Sequence, residues 1–248
     1  MDFKEKQFII FDLDGTLTAS KSPLESETAD LLSTLLKIKK VAVISGCNYN
    51  QFQKQFLKYL PSDANLNNLY ILPVSGAELY TYNNDWTQKY SNNLSLDDKK
   101  KILFALDEAT KDAGYETPKT DFGLIIEDRN SQITFSGLGQ NAPIEMKKSW
   151  DPTLEKRKNI VEKLNTKLPD FNIQIGGTTS IDITKKGIDK SYGIKMLIEI
   201  TKISKEKMLF VGDALFEGGN DLSIKNTKID CIQVNNLNDT REVISRLL

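Results

Sequence analysis

The stretch Phe8-Ile9-Ile10-Phe11-Asp12-Leu13-Asp14-Gly15-Thr16 decides how the rest of the chain is read. Residues 8–11 are apolar without alternation, the pattern of a short strand buried on both faces. The run ends in two carboxylates two residues apart, followed by glycine. Both acids can then face one site, one through its side chain and one across the turn. Asp-Gly is also a common turn dipeptide, and it is the position directly after a buried strand that favours chemistry over a plain turn.

Working outward, residues 41–44, 70–74, 208–211 and 231–234 repeat this buried-strand texture. Helical patterns at 25–37, 49–59, 191–201 and 239–248 lie between or after them. Strand–helix alternation predicts an α/β core, a doubly wound, Rossmann-like parallel sheet with helices on both faces. Ligands of such sheets bind at the C-terminal edge of the strands.

The middle of the chain differs. Residues 79–82 and 86–90 flank Asn83-Asn84-Asp85, and 124–127 and 132–136 flank Arg129-Asn130-Ser131, two hairpin signals. Ser95 with Asp98 reads as a capping box opening a helix that carries Ile102, Leu103, Leu106 and Ala109. A second helix is expected over 152–168 and further strands over 171–175 and 180–184. This predicts an inserted α+β domain with an antiparallel sheet over 83–188, between core segments 1–82 and 189–248.

Composition narrows the chemistry. Among 248 residues, 33 Lys+Arg against 34 Asp+Glu give a net charge of −1, which offers no field for nucleic acid or an anionic membrane. No apolar run reaches the length of a membrane span, and the N-terminus lacks the layout of a secretory signal, so a cytoplasmic protein is expected. Cys47 and Cys231 make neither a disulfide framework nor a zinc site. There is no histidine, which excludes Ser-His-Asp and Cys-His catalysis and His-ligated zinc. Carboxylates, lysine, hydroxyls and a hard metal ion remain.

Those residue types cluster at strand ends. A carboxylate such as Asp12 is already ionised at neutral pH and needs no activating base to attack phosphorus, and Asp14 can act as acid and base beside it. Gly212-Asp213 and Glu217-Gly218-Gly219-Asn220-Asp221 follow another apolar strand. Asp213 and Asp221 would join Asp12 in an all-oxygen site suited to Mg²⁺. Ser45-Gly46 ends the second core strand, where a hydroxyl and an N–H can hold a phosphoryl oxygen. Lys190 opens the helix after the insertion and can neutralise a transferring group.

In this order, Asp-x-Asp-Gly-Thr, Ser-Gly, Lys and Gly-Asp…Gly-Asn-Asp resemble the four motifs of the haloacid dehalogenase superfamily. The resemblance implies a nucleophile at Asp12 that becomes an aspartyl-phosphate, and an acid/base at Asp14 whose backbone carbonyl reaches Mg²⁺. It also implies a type-II cap formed by the insertion.

A finer resemblance is to the eukaryotic-type phosphomannomutases of that superfamily. It rests on residues 12–19, Glu127-Asp128-Arg129-Asn130, Gly176-Gly177 with Ser180-Ile181-Asp182, Gly187-Ile188-Asp189-Lys190, and Gly218-Gly219-Asn220-Asp221. It implies that Arg129 grips a distal phosphate while Ser180 and Asp182 bind sugar hydroxyls. Where that family carries further arginines, this chain has Lys21, Gln140 and Lys147. The lysines keep charge without the planar fork, and glutamine loses the charge. The implied activity is Mg²⁺-dependent interconversion of mannose 6-phosphate and mannose 1-phosphate, with a hexose 1,6-bisphosphate activator, feeding GDP-mannose synthesis. A homodimer through the cap is implied as well. The alternative is a sugar-phosphate phosphatase of the same superfamily.

Overall fold

Every residue of the first strand, β1 (Phe8–Asp12), is buried in the computed structural model, which describes residues 3–248. The chain continues through α1 (Ser26–Ile38), β2 (Lys40–Ile44), α2 (Tyr49–Gln55), β3 (Leu69–Leu72), β4 (Glu78–Asn83) and β5 (Asp85–Ser91). The helix expected over 49–59 stops at Gln55, where the Gln55 carbonyl accepts from Leu24 N–H and a short 3₁₀ turn takes over at Leu57–Tyr59.

A second unit, residues 92–188, follows. Its elements are α3 (Leu96–Asp112), β6 (Ile126–Asp128), β7 (Gln132–Ser136), α4 (Ile144–Trp150), α5 (Glu155–Lys167), β8 (Phe171–Gly176) and β9 (Ser180–Lys185). The Ser95/Asp98 capping box is formed at the start of α3. The strands make an antiparallel sheet in the order β6-β7-β9-β8. Alternation along β7 and β9 splits this sheet into two faces. Ile133, Phe135, Ile181 and Ile183 pack with Ile102, Leu106 and Ala109 of α3 and Ile160 and Leu164 of α5. The other face carries Gln132, Thr134, Ser136, Ser180, Asp182 and Thr184. The apolar stripe of α3 is thus spent on the unit's own sheet, while Leu103 and Phe104 are exposed.

The chain returns to the first unit with α6 (Lys190–Thr201), β10 (Met208–Gly212), β11 (Asp230–Gln233) and α7 (Leu237–Leu247). These complete a seven-stranded sheet in the order β11-β10-β1-β2-β3-β4-β5. The segment from β11 to β3 is parallel, and β4 and β5 add an antiparallel edge. Ile9, Phe11, Val41 and Val43 face α1, α2 and α7, whereas Phe8, Ile10, Ala42 and Ile44 face α6. Burial on both faces explains why these strands read as unbroken apolar runs.

The expected domain start at 83 needs correction. The hairpin at 78–91 extends the core sheet, and the second unit begins at 92. The hairpin signal was sound, but nothing in an exposed polar edge strand says which sheet it joins. The helix α4 was not anticipated either: its core content is low, and only Lys147 is buried among its residues.

Candidate active site

The parallel register of the core sets the site. Asp12 pairs with Ile44 across β1 and β2, so Ser45 lies one residue beyond the partner of Asp12. On the other side Phe11 pairs with Val211, which brings Gly212-Asp213 to the same edge. Lys190 is the first residue of α6, whose N-cap Asp189 accepts from Tyr192 N–H. Asp221 sits in the loop after β10, where its Oδ2 accepts from Ala214 N–H at 3.1 Å.

These loops converge on one buried ion cluster. Lys190 Nζ donates to Asp12 Oδ1 at 2.6 Å and to Asp221 Oδ1 at 2.5 Å. Relative exposure is 1% for Lys190, 4% for Asp12 and 0% for Asp221. Burial alone would lower the Lys190 ammonium, but the two carboxylates outweigh it and hold it above its ordinary value. Burial pushes Asp12 well up, and Asp221 and Asp213 add to this while Lys190 opposes it. Asp213 is pushed up to about 6, first by burial and then by Asp221.

Oxygen atoms of Asp12, Asp213 and Asp221 lie within 4.8 Å of one another. Set against a single ammonium, these three carboxylates leave two formal negative charges in a buried place, which is costly without a cation. The donors are hard oxygens, with no thiolate or imidazole among them, so the set fits Mg²⁺. Gly15 lets the loops approach this closely. Its φ is +93°, and a Cβ there would stand 2.8 Å from the Asp213 carboxyl carbon.

Asp14 lies beside this cluster and adds to the upward push on Asp213. Its Oδ1 accepts from Lys21 N–H at 2.6 Å and from Gln55 Nε2 at 2.8 Å. Ser45 is buried, and its hydroxyl oxygen accepts from Cys47 N–H at 3.2 Å. Ser75 N–H donates to the Ser45 carbonyl at 2.8 Å, from a turn in which Val74 and Ser75 both have positive φ.

The remaining expected residues lie in the second unit, apart from Lys21. Asp182 Oδ1 accepts from Thr134 Oγ1 at 2.8 Å on the polar face of the antiparallel sheet. Ser180 opens β9 opposite Ser136 on that face. Arg129 Nη2 pairs with Glu127 at 2.7 Å, and Lys147 Nζ donates to the Gln140 carbonyl at 2.8 Å. Sequence reading missed three contributors: Gln55, Thr134 and the buried pair Arg157–Asp151. Arg157 Nε donates to Asp151 Oδ2 at 2.8 Å, and its Nη1 donates to the carbonyls of Gly176 and Gly177 at 3.1 and 2.9 Å. It therefore fixes the turn that leads into Ser180 and Asp182.

Among known structures, the chain is similar to the C-terminally truncated IMP-nucleotidase of Plasmodium falciparum, with a TM-score of 0.73 at 18% identity, over 99% of this chain and 72% of that one. It is also similar to a haloacid dehalogenase-like hydrolase from Bacteroides thetaiotaomicron, with a TM-score of 0.66 at 19% identity, over 98% of this chain and 100% of that one. At these identities the likeness is one of fold. In sequence it is 30% identical to a phosphomannomutase of Spinacia oleracea over 87% of this chain and 84% of that protein. It is 28% identical to a phosphomannomutase of Encephalitozoon cuniculi over 98% of this chain and 94% of that protein. The second alignment covers nearly the whole chain, so it spans both units. Residues 28–248 match the model of eukaryotic phosphomannomutase, and the chain belongs to that family of enzymes.

Proposed function

We propose that the chain is a Mg²⁺-dependent phosphomannomutase that interconverts mannose 6-phosphate and mannose 1-phosphate and so supplies GDP-mannose synthesis. Family membership supports the reaction class. The observation that carries the reading is the Lys190 ammonium held between Asp12 and Asp221 at 2.6 and 2.5 Å, with Asp213 alongside, at the C-terminal edge of a parallel sheet.

Asp12 would be the nucleophile, its carboxylate paired with the Lys190 ammonium. Bound on oxygens of Asp12, Asp213 and Asp221 and on the Asp14 carbonyl, Mg²⁺ would supply charge neutralisation for the phosphoryl oxygens. Asp14 would give a proton to the departing sugar oxygen and take one from the attacking hydroxyl. The Ser45 hydroxyl and neighbouring N–H groups would hold a phosphoryl oxygen, and Lys190 would balance its charge. Arg129, Lys147, Gln140 and Lys21 would bind the second phosphate, while Ser180 and Asp182 would read sugar hydroxyls. A hexose 1,6-bisphosphate would prime Asp12, and a homodimer would form through the 92–188 unit, where Leu96, Leu103 and Phe104 of α3 are exposed. The reaction would take place in the cytoplasm, and among the described residues no helix is long and apolar enough to cross a membrane.

One observation favours a second reading, a sugar-phosphate phosphatase. Arg129 is neutralised by Glu127, and Lys147 is bound to a backbone carbonyl, so the grip on a second phosphate starts from cations with internal partners. Incubation with mannose 1-phosphate and Mg²⁺, with and without the bisphosphate, separates the two. Mannose 6-phosphate supports the mutase. Free mannose with inorganic phosphate moves the assignment to the phosphatase, and no turnover overturns both.

A further inference from the structure

Helix α2 sends one buried side chain into the turn that follows β1, and the reaction outlined above does not use it. Gln55 is 2% exposed. Its Nε2 donates to Asp14 Oδ1 and to Thr18 Oγ1, both at 2.8 Å. A carboxylate oxygen only accepts, so the Gln55 end facing Asp14 is the NH₂ group. Its Oε1 is left to accept from Gln51 Nε2, one helical turn earlier, at 2.9 Å. Gln51 thus keeps the amide from turning over.

The turn itself does not need this contact for its shape. Gly15 N–H donates to the Thr18 carbonyl at 2.7 Å, and the N–H groups of Leu17 and Thr18 donate to the Leu13 carbonyl at 2.9 and 3.0 Å. What Gln55 adds is the orientation of a side chain. It and the Lys21 N–H both load Oδ1 of Asp14, and among the described residues no hydrogen bond reaches Oδ2. Pinning one oxygen sets the Asp14 rotamer and presents the other oxygen for proton transfer.

We infer that Gln55 is the positioning residue for Asp14, an inference that rests on reading Asp14 as the acid/base of phosphoryl transfer. In the first half-reaction an Asp12 oxygen bonds to phosphorus and the P–O bond to the substrate breaks, its electron pair staying on the leaving oxygen. The proton on Asp14 Oδ2 passes to that oxygen, giving an alcohol, a phosphorylated Asp12 and an Asp14 carboxylate. In the second half-reaction an alcohol attacks the phosphoryl group, its proton returns to Asp14 and Asp12 is freed. A mispointed Asp14 therefore harms only those steps in which the leaving or attacking oxygen needs a proton.

The test is the rate of phosphoryl transfer from a series of phosphate esters to the full-length chain with Mg²⁺. A dinitrophenolate leaves without a proton, whereas phenol and a sugar hydroxyl need one. In Gln55→Leu and Gln55→Glu the loss in the single-turnover rate of Asp12 phosphorylation should grow from under about threefold with dinitrophenyl phosphate to roughly 10–100-fold with phenyl phosphate and mannose 1-phosphate, with the half-saturating ester concentration little changed. Gln51→Leu, at a partly exposed position, should show the same trend at smaller amplitude. It decides the matter alone if the Gln55 variants do not fold. An equal loss across all leaving groups, or a Gln51→Leu dependence identical to wild type in that case, overturns the inference. Wild-type protein that takes a phosphoryl group from none of the esters overturns the underlying reading instead.

Discussion

Asp12 and Asp14 are two residues apart, yet the structure gives their carboxylates different surroundings. Asp12 is tied to the Lys190 ammonium in the buried cluster, and Asp14 to an N–H and an amide in the turn. Asp12→Asn should therefore abolish turnover in a protein that still folds. Asp14→Asn should lower kcat by about 10²–10⁴-fold on mannose 1-phosphate, the usual worth of general acid–base catalysis. Steady-state rates on the purified, folded variants check both, and more than a few per cent of activity in Asp12→Asn contradicts its role. A pH effect follows from Asp213, which burial and Asp221 push up to about 6 in the metal-free protein. Its folded value lies above its unfolded one, so its contribution favours the fold below about pH 4 and is lost as the pH rises through 6. Mg²⁺ needs the charged form and competes with that proton. Added Mg²⁺ should raise the melting temperature more at pH 7.5 than at pH 5, and equal shifts in a thermal melt would place the metal elsewhere. The acids themselves were legible in the sequence because each ends an apolar run. Gln55 was not: its partner lies 41 residues away, and it sits in a polar helical stretch with other glutamines.

The helix α5 and the turn from β8 to β9 are joined by a pair that leaves no mark on hydrophobic periodicity. Arg157 and Asp151 are each about 1% exposed in their side chains, and Arg157 also satisfies two backbone carbonyls. Removing one partner of such a pair strands the other charge in the interior. Arg157→Leu should therefore cost about 3–5 kcal/mol, read from denaturant midpoints at constant slope. A loss under about 1 kcal/mol would mean that Asp151 is reached by water. The same element scale shows what sequence pattern can deliver. The buried strands β1, β2, β3 and β10 came from unbroken apolar runs, and α3 from its cap. The membership of β5 was hidden because that strand is exposed at the sheet edge and carries no pattern that distinguishes one sheet from another. Helix α5 starts at Glu155 rather than 152 because Leu154 takes a left-handed φ of 64°, which no residue-type signal at a leucine announces.

At the scale of the whole molecule, the family match begins at residue 28, after the turn that carries Asp12 and Asp14. The nucleophile is thus argued from the strand end and from the geometry of the cluster. Under the proposed function the second unit would recognise the substrate, with Arg129 on its distal phosphate. Arg129→Ala should weaken use of mannose 1-phosphate by about 2–5 kcal/mol in kcat/KM. It should leave hydrolysis of a small aryl phosphate, which has nothing for a distal cation to hold, nearly unchanged. Equal losses on the two substrates would make Arg129 and Glu127 a structural pair and favour the phosphatase. If Asp12 carries the phosphoryl group between substrates, borohydride will trap it there. An acyl phosphate on aspartate is reduced to homoserine, whereas phosphoserine and phosphothreonine survive. After mixing with Mg²⁺ and a hexose 1,6-bisphosphate, quenching and reduction, the peptide spanning residues 7–21 should contain homoserine at position 12. Homoserine at another position, or none in protein that is turning over substrate, would rule out Asp12 as the phosphoryl carrier.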